Sequence, residues 1–212
     1  MQPQEKIIKC YNATAENYAA TRIDELSKKH LDRLILKEFA RLNKDKGICA
    51  DFGCGPGQTT KFLFDYSVKD IIGIDISPGM VNVARKIFPY ITFETGDLLA
   101  LPYNADYFAS AIAFYAIVHF NYNQVGMAFK EVNRVLKKDA QFLFSFHVGE
   151  DTVHFDKAND IEVDIDLHFF QTNVILELLR ANKFRIVDAV ERLAYPDVEY
   201  PTRRAYVWAA KV

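Results

Sequence analysis

Short apolar runs alternate with segments of helical periodicity through the middle of the chain, and this alternation restricts the fold more than any other feature. Five runs have the length of buried strands, at residues 48–52, 70–74, 91–94, 107–114 and 141–147. Helices are predicted over residues 59–66, 78–88 and 124–137, the second with Ser77 as its N-cap and Pro78 at its first position. This order predicts an α/β fold with a mostly parallel sheet and helices on both faces, joined by right-handed crossovers.

Both ends of the chain depart from this pattern. Residues 11–22 are predicted to form a short helix or an ordered arm, and residues 25–42 one long amphipathic helix with Leu26, His30, Leu34 and Ile35 on a common face. Residues 149–166 are predicted to be an irregular acidic stretch, followed by a helix over 172–182. The β-rich runs at 184–193 and 203–211 have too short a connection for a crossover helix, so we expect them to pair antiparallel.

Composition limits the classes of function. With 212 residues, half of them hydrophobic, and no linker or repeat, we expect a single domain. A formal charge of −2 gives no basic footprint, so no nucleic-acid partner is expected. Neither a leader nor an apolar span of membrane length is apparent, which predicts a soluble cytoplasmic protein. Cys10, Cys49 and Cys54 lack zinc-site spacing, and no metal is expected.

A glycine-rich loop follows the first predicted strand in the segment CADFGCGPGQTT, residues 49–60. Such a loop directs backbone N–H groups toward an anionic ligand group at a helix N-terminus. Gly53 and Gly55 satisfy the first two positions of the dinucleotide fingerprint, but Gln58 occupies its third. With Asp51 at the strand end and Pro56 stiffening the turn, the loop instead resembles the first motif of class I, Rossmann-like S-adenosylmethionine-dependent methyltransferases.

Further segments resemble the same family. Asp75 ends the second strand in IIGIDIS, where its carboxylate can accept hydrogen bonds from both ribose hydroxyls, although a nicotinamide enzyme places an acid similarly. TGDLLALPY is similar to the adenine-binding segment, with Asp97 accepting from the adenine amino group. The resemblance therefore implies S-adenosyl-L-methionine as cofactor, at a site formed by Tyr18, Asp51, Gly53, Cys54, Gly55, Asp75, Ile76, Asp97, Leu98 and Phe114.

The resemblance covers almost the whole chain and implies an architecture. The terminal hairpin is similar to the family's antiparallel seventh strand, which is inserted between the fifth and sixth. We therefore expect a three-layer sandwich with a seven-stranded, mostly parallel sheet whose last strand is antiparallel. Residues 1–212 would form one methyltransferase domain, with an N-terminal helical lid at about residues 1–45 and Tyr18 as a lid residue.

Candidates for contact with a methyl acceptor lie beyond the carboxyl ends of the strands, where open α/β sheets bind ligands. His119 is the candidate general base, because imidazole accepts a proton near neutral pH. Tyr11, Tyr18 and His147 are further candidates, and His168 in DLHFF is a weaker one. Arg203 and Arg204 are able to bind an anionic substrate, but they are more readily explained as solvated partners of Asp197 and Glu199.

The expected function is methyl transfer from S-adenosylmethionine to a small-molecule acceptor, without a metal. One alternative is a regulatory or accessory protein that binds the cofactor without catalysis. Another is a nicotinamide-dependent oxidoreductase, against which the missing third glycine and the terminal hairpin argue. A protein or RNA methyltransferase is a further option. The acceptor and the oligomeric state are left open, since substrate choice resides in loops attached to a common core.

Overall fold

The structure is a computed structural model that describes residues 3–158 and 161–212. Its elements in chain order are α1 (Pro3–Arg22), α2 (His30–Asn43), β1 (Cys49–Phe52), α3 (Gln58–Asp65), β2 (Ile71–Asp75), α4 (Pro78–Ile87), β3 (Thr92–Thr95), β4 (Phe108–Phe114), α5 (Tyr122–Val135), β5 (Leu136–Val148), β6 (Thr152–Ala158), β7 (Ile161–His168), α6 (Thr172–Ala181), β8 (Phe184–Arg192) and β9 (Arg203–Lys211). A single 3-10 turn, Glu25–Lys28, precedes α2.

Seven strands form the main sheet in the order β3-β2-β1-β4-β5-β9-β8. The pairings from β3 to β5 are parallel, whereas β9 is antiparallel to both of its neighbours, β5 and β8. The predicted mostly parallel sheet with an antiparallel last strand is therefore confirmed. The strand order reverses between β1 and β4, and open α/β sheets bind ligands beyond the carboxyl ends of the strands at such a point.

Helices cover both faces of this sheet, as predicted. On one face, Leu36 of α2 and Leu63 of α3 share a buried cluster with Ile112 of β4. On the other, Phe129 of α5 and Ile175 of α6 pack in a cluster with the β5 phenylalanines. Because both faces are covered, the central strands carry unbroken apolar runs rather than an alternating pattern.

The prediction of one long helix over residues 25–42 was wrong. The chain forms α1 up to Arg22, turns through Glu25–Lys28, and starts α2 at His30. Lys29 interrupts the helix with an extended conformation, φ −112° and ψ 90°, and its buried ammonium lies 3.0 Å from Glu25. Leu34 is 63% exposed, so it does not share the buried face of α2. Lys29 also lies 3.6 Å from Glu199, and this tertiary ion pair leaves no signal in local periodicity.

Residues 149–166, predicted to be irregular, contain most of an antiparallel hairpin formed by β6 and β7. Side chains along these strands alternate between half-buried and exposed, with Val153, Phe155, Val163 and Ile165 on the inner face. Asp156, Glu162, Asp164 and Asp166 lie on the outer face. A period of two is the pattern of a sheet that is covered on one side only.

Helix α1 packs against α4 and β7 rather than on the sheet itself. Ala15 and Ala19 of α1 meet Met80 and Val83 of α4 in a small buried cluster. Asn12 adds two hydrogen bonds, because its side-chain oxygen accepts from Ser77 Oγ at 2.8 Å and from the Gly79 N–H at 2.7 Å. Among the described residues, no helix combines the length and apolar character needed to cross a membrane.

Candidate active site

One continuous cavity of about 440 Å³ lies beyond the carboxyl ends of β1, β2, β4 and β5. Its volume falls within the range of small-molecule sites. The glycine loop, Asp75 and Asp97 line one half, and α1 together with the β6–β7 hairpin covers it. All ten residues predicted to hold the cofactor line this cavity, as do Tyr11, His119, His147 and Arg204.

The backbone of the glycine loop needs its glycines. Gly53 and Gly55 have φ of 69° and 53°, in the left-handed region that other residues rarely adopt. A Cβ at Gly53 would lie 2.6 Å from the Cβ of Ala116, whereas a Cβ at Gly55 would meet no atom within 4 Å. The N–H of Gly53 donates to the Ile74 carbonyl at 2.7 Å, which fixes the loop on β2. The loop therefore leaves space for a ligand above Gly55.

Asp75 is oriented by the same loop. Its Oδ2 accepts from the Gly55 N–H at 2.9 Å and its Oδ1 from the Ser77 N–H at 2.8 Å. Burial raises the pKa of this carboxyl, and the two backbone hydrogen bonds oppose that shift. Each carboxylate oxygen has two lone pairs, so both retain capacity to accept from a ligand hydroxyl.

Asp51 is a buried carboxyl at the end of β1, 1% exposed. The Thr60 hydroxyl donates to its Oδ2 at 2.6 Å. Burial raises the pKa of Asp51 to about 7, against the Thr60 hydrogen bond, and the nearby Asp75 raises it further. A buried carboxyl of this kind is stabilised in its ionised form by a neighbouring cation.

Asp97 follows β3 and accepts from two donors. Its Oδ1 takes the Leu99 N–H at 2.9 Å, and its Oδ2 takes the side-chain amide of Gln4 at 2.6 Å. Gln4 lies on α1, so an NH2 group already occupies the position at which the sequence predicts an adenine amino group. The partly buried side chain of Leu98 lies beside it on the cavity wall.

Tyr11 and His119 form a hydrogen-bonded pair on the cavity wall. Tyr11 Oη lies 2.7 Å from His119 Nε2, and His119 Nδ1 lies 2.6 Å from the carbonyl oxygen of Asp166. Because a carbonyl only accepts, Nδ1 carries the ring proton, and a neutral ring accepts the Tyr11 hydroxyl at Nε2. Burial lowers the pKa of His119, which favours this neutral form. Tyr18 makes an edge-on contact with Tyr11, at 6.3 Å between ring centroids.

The other candidates separate into two groups. His147 lines the cavity, and its Nδ1 lies 2.7 Å from Thr202 Oγ1. Burial, with the Arg204 guanidinium, lowers the pKa of His147 to about 3. His168 does not line this cavity and instead pairs with Thr152 Oγ1 at 2.9 Å.

The interpretation of both arginines as solvated partners of Asp197 and Glu199 was wrong in part. Arg203 is exposed but pairs with Glu191 at 3.0 Å. Arg204 does face Glu199, with Nε 3.6 Å from Oε1, yet it is buried, 3% exposed. The antiparallel register places Arg204 opposite His147, which brings it to the cavity rather than to solvent.

Sequence reasoning missed several residues of the cavity, among them Tyr115, Lys29 and Asp32. Tyr115 directly follows β4 with φ of 57°, and strained non-glycine residues of this kind cluster at functional sites. Lys29 and Asp32 also line the cavity, and both are buried. The charge of Asp32 within the mostly apolar face of α2 was a signal, since a carboxylate is rarely buried without a partner.

Comparison with known proteins first defines the fold class. The crystal structure of magnesium protoporphyrin IX methyltransferase from Synechocystis PCC 6803 with bound S-adenosylmethionine is similar to this chain at a TM-score of 0.74. The two share 16% sequence identity, and the match covers 100% of this chain and 98% of the other. The fold is therefore that of the Rossmann-like methyltransferases.

Sequence relatives agree with the fold. Residues 49–139 match the family model described as a methyltransferase domain. An uncharacterized methyltransferase from Oceanobacillus iheyensis is 29% identical over 136 residues, which are 64% of this chain and 60% of the relative. The ubiquinone/menaquinone biosynthesis C-methyltransferase of Campylobacter jejuni is 33% identical over 151 residues, 66% of this chain and 62% of the relative. The matches thus span about three fifths of these relatives' own length.

Family model, relatives and fold agree: residues 49–139 match a methyltransferase domain, and the chain is similar to the class I S-adenosylmethionine-dependent methyltransferases. The expected resemblance is confirmed, and it sets aside the nicotinamide-dependent alternative.

Proposed function

We propose that this protein transfers a methyl group from S-adenosylmethionine to a small-molecule acceptor bound in the same cavity. The observation that carries the proposal is the convergence of the glycine loop, Asp75 and Asp97 on one half of the cavity, with the Tyr11–His119 pair on its wall. These groups come from five separate parts of the sequence. Their convergence matches the arrangement that the family resemblance implies.

The residues present fit the cofactor. The open space above Gly55 accommodates a ligand close to the backbone, and Asp75 offers two oriented oxygens for ribose hydroxyls. Asp97 accepts from an amino group, as its hydrogen bond to Gln4 demonstrates. Asp51 supplies a negative charge for the cationic methionyl end, near Phe114 at the end of β4. Cys54, Ile76, Leu98 and Tyr18 complete the proposed cofactor site.

When bound, S-adenosylmethionine supplies a methyl group made electrophilic by its sulfonium centre. The chain's own contribution is to orient the acceptor and exclude water, because alignment of reacting atoms about 3 Å apart provides several kcal/mol of the barrier. For an acceptor that must lose a proton, Tyr11 takes that proton at Oη while passing its own to His119 Nε2. The resulting imidazolium is stabilised at Nδ1 by the Asp166 carbonyl.

We also propose that α1 acts as a lid. It carries Gln4, Tyr11 and Tyr18 into the cavity and is attached to α4 through Asn12. Opening of α1 would expose the cofactor half, and closing it would bring Tyr11 to His119. Closure would thereby couple the exclusion of water to assembly of the proton acceptor.

Calorimetric titration with S-adenosylmethionine tests the cofactor. We expect micromolar binding by the wild type, loss of binding in Asp75→Ala, and retention in Asp70→Ala, a matched exposed aspartate near the other end of β2. Parallel titration with NADH should give no binding. A wild-type protein that fails to bind S-adenosylmethionine contradicts the proposal.

Turnover separates an enzyme from a protein that only binds the cofactor. Incubation with S-adenosylmethionine and a fractionated small-molecule extract should produce S-adenosylhomocysteine in an acceptor-dependent manner. Binding without such turnover in any fraction would favour the regulatory alternative.

A further inference from the structure

The cavity extends well beyond the cofactor half. From the end of β4 it continues past Tyr115, His147 at the end of β5 and Arg204 at the start of β9. Strands β4, β5 and β9 are adjacent in the main sheet, and β5 and β9 lie on the opposite side of β4 from β1 and β2. This acceptor half, defined by Lys29, Tyr115, His147, Glu199 and Arg204, is separate from the groups assigned to the cofactor.

Buried charge is concentrated in the acceptor half. Glu199 lies 2.6 Å from Arg192, 3.6 Å from Lys29 and 3.6 Å from Arg204. Lys29 and Arg204 line the cavity and are only 5% and 3% exposed. Two cations thus face the cavity and share Glu199, and Lys29 also lies 3.0 Å from Glu25.

The connected ion pairs carry an excess of positive charge. Lys29, Arg192 and Arg204 are linked through them to Glu25, Asp32 and Glu199, and a fourth cation, the exposed Arg22, lies 3.8 Å from Glu25. His147 adds no charge, because its pKa is lowered to about 3 by burial and by Arg204. One negative charge on a ligand would balance this network.

Arg204 also has an unused donor. Its Nη1 donates to the carbonyl oxygens of Tyr200 and Thr202 and to Thr202 Oγ1. Its Nε is buried 3.6 Å from Glu199 Oε1, too far for a hydrogen bond, and has no other hydrogen-bond partner in the described part of the chain. An unsatisfied buried donor on a cation is costly. A planar carboxylate is the group that a guanidinium edge binds best.

The opposite wall of the acceptor half is apolar and aromatic. The inner face of the β6–β7 hairpin contributes Phe155, Ile165 and Leu167. Tyr200 contacts Phe155 at 6.3 Å and Phe169 at 6.1 Å between ring centroids, which extends this surface toward Arg204. A ligand bridging the two walls needs an apolar body and a charged end.

On the basis of the proposed methyl transfer, we propose that the acceptor is an organic acid. Its carboxylate binds Arg204 and Lys29, and its apolar body packs on the β6–β7 hairpin. A single carboxylate matches the single excess charge, whereas a phosphate monoester brings about −1.5 to −2 at neutral pH. The carboxylate fixes the acceptor's orientation relative to Tyr11, and the hairpin selects its shape.

The test uses the wild-type protein saturated with S-adenosylhomocysteine. The probes are 3-phenylpropionate and octanoate, each compared with its primary amide and with the amine of equal chain length. Because charge-assisted hydrogen bonds to a buried arginine are strong, at least one acid should bind ~10-fold or more tightly than its amide and amine. Equal binding of the three forms, preference for the amine, or no acid binding at millimolar concentration overturns the inference.

Variants locate the site. Arg204→Gln and Lys29→Gln should each reduce the acid-to-amide ratio toward one while S-adenosylhomocysteine still binds, which also verifies folding. Arg203→Gln, the exposed neighbour on the same strand, should keep the wild-type ratio. Should either buried variant not fold, the wild-type comparison decides alone.

The same titrations separate the two proposals. Absence of S-adenosylhomocysteine binding in the wild type removes the proposed function and this inference with it. Cofactor-product binding without acid preference overturns the inference alone.

Discussion

The phenolic oxygen of Tyr11 on α1 lies 2.7 Å from Nε2 of His119, which follows β4. The two residues are 108 positions apart in the sequence, so only the packing of α1 over the cavity brings them together. The pair is complete only when α1 is in place. The proton relay proposed for this pair therefore depends on the position of α1.

Removal of either member of the pair should slow methyl transfer without weakening cofactor binding. We expect His119→Asn to lower the rate by ~10²-fold, a typical contribution of a general base, and Tyr11→Phe to have a comparable effect. Single-turnover formation of S-adenosylhomocysteine measures the rate, and calorimetry measures the affinity. His168→Asn is the control, because that histidine lies outside the cavity. Full activity in both variants would eliminate the proton relay.

The attachment of α1 through Asn12 predicts a coupled loss of stability and cofactor affinity. Asn12→Ala removes two hydrogen bonds, to Ser77 Oγ and the Gly79 N–H, and should lower the free energy of unfolding by about 1 kcal/mol or more. For a chain of this length, each kcal/mol lowers Tm by ~2–4 °C. The dissociation rate of S-adenosylmethionine, measured by stopped flow, should rise several-fold because the lid opens more often.

Glu16→Ala provides a matched control on the same helix. Glu16 also faces α4, through Lys86 at 3.3 Å, but both side chains are 73% exposed. An exposed pair of this kind contributes little, so neither Tm nor the dissociation rate should change appreciably. Equal effects of the two variants would mean that Asn12 has no special role in holding α1.

The cofactor half of the site was predictable because its signals are local. Gly53 and Gly55 directly follow β1, Asp75 ends β2, and Asp97 follows β3. Because these strands are parallel neighbours, the position of each residue in the sequence predicts that it lies at the carboxyl edge of the sheet. The sheet was predictable for a related reason, since covered parallel strands require unbroken apolar runs.

The acceptor half was not predictable because its residues meet only through the tertiary fold. Lys29, Glu199 and Arg204 come from the start of α2, from the β8–β9 connection and from β9, and none carries a motif. The β6–β7 hairpin did leave a signal, since Val153 and Phe155 alternate with polar residues. The acidic composition of that stretch obscured it, because the acidic residues that the structure describes there are all exposed.

Asp51 predicts a pH dependence of cofactor binding. Its pKa is about 7 in the free protein, so its carboxyl is largely protonated below that pH. A cationic ligand favours the ionised form, and the affinity for S-adenosylmethionine should therefore rise with pH, by at most ~10-fold per unit, and level off above about 7. Calorimetry from pH 5.5 to 8.5 measures this profile. Asp51→Asn should flatten it and Asp70→Asn should not; an unchanged slope in Asp51→Asn would remove Asp51 from the cofactor site.

His147 and Glu199 predict that acid destabilises the protein. Burial and Arg204 lower the pKa of His147 to about 3, so between pH 6.5 and 3 the unfolded chain binds a proton that the folded protein does not, and stability falls on acidification. Burial alone would raise the pKa of Glu199, but its hydrogen bonds with Arg192 and the Tyr195 N–H outweigh burial and lower the pKa to about 2. The contribution of the ionised Glu199 to stability is therefore lost as the pH falls below about 4.

The two contributions are separable because they occupy different pH ranges. From pH 7 to 5 only His147 of the two titrates in the unfolded chain, so the Tm of His147→Gln should decline less steeply than that of the wild type. His119 and Asp51 keep their own shifted pKa values in both proteins, so their contributions are common to the comparison. His30→Gln, which changes an exposed histidine on α2, should retain the wild-type decline. Thermal unfolding followed by circular dichroism across this range gives the result. A His147→Gln protein that loses stability as steeply as the wild type would show that this imidazole is not held neutral beside Arg204.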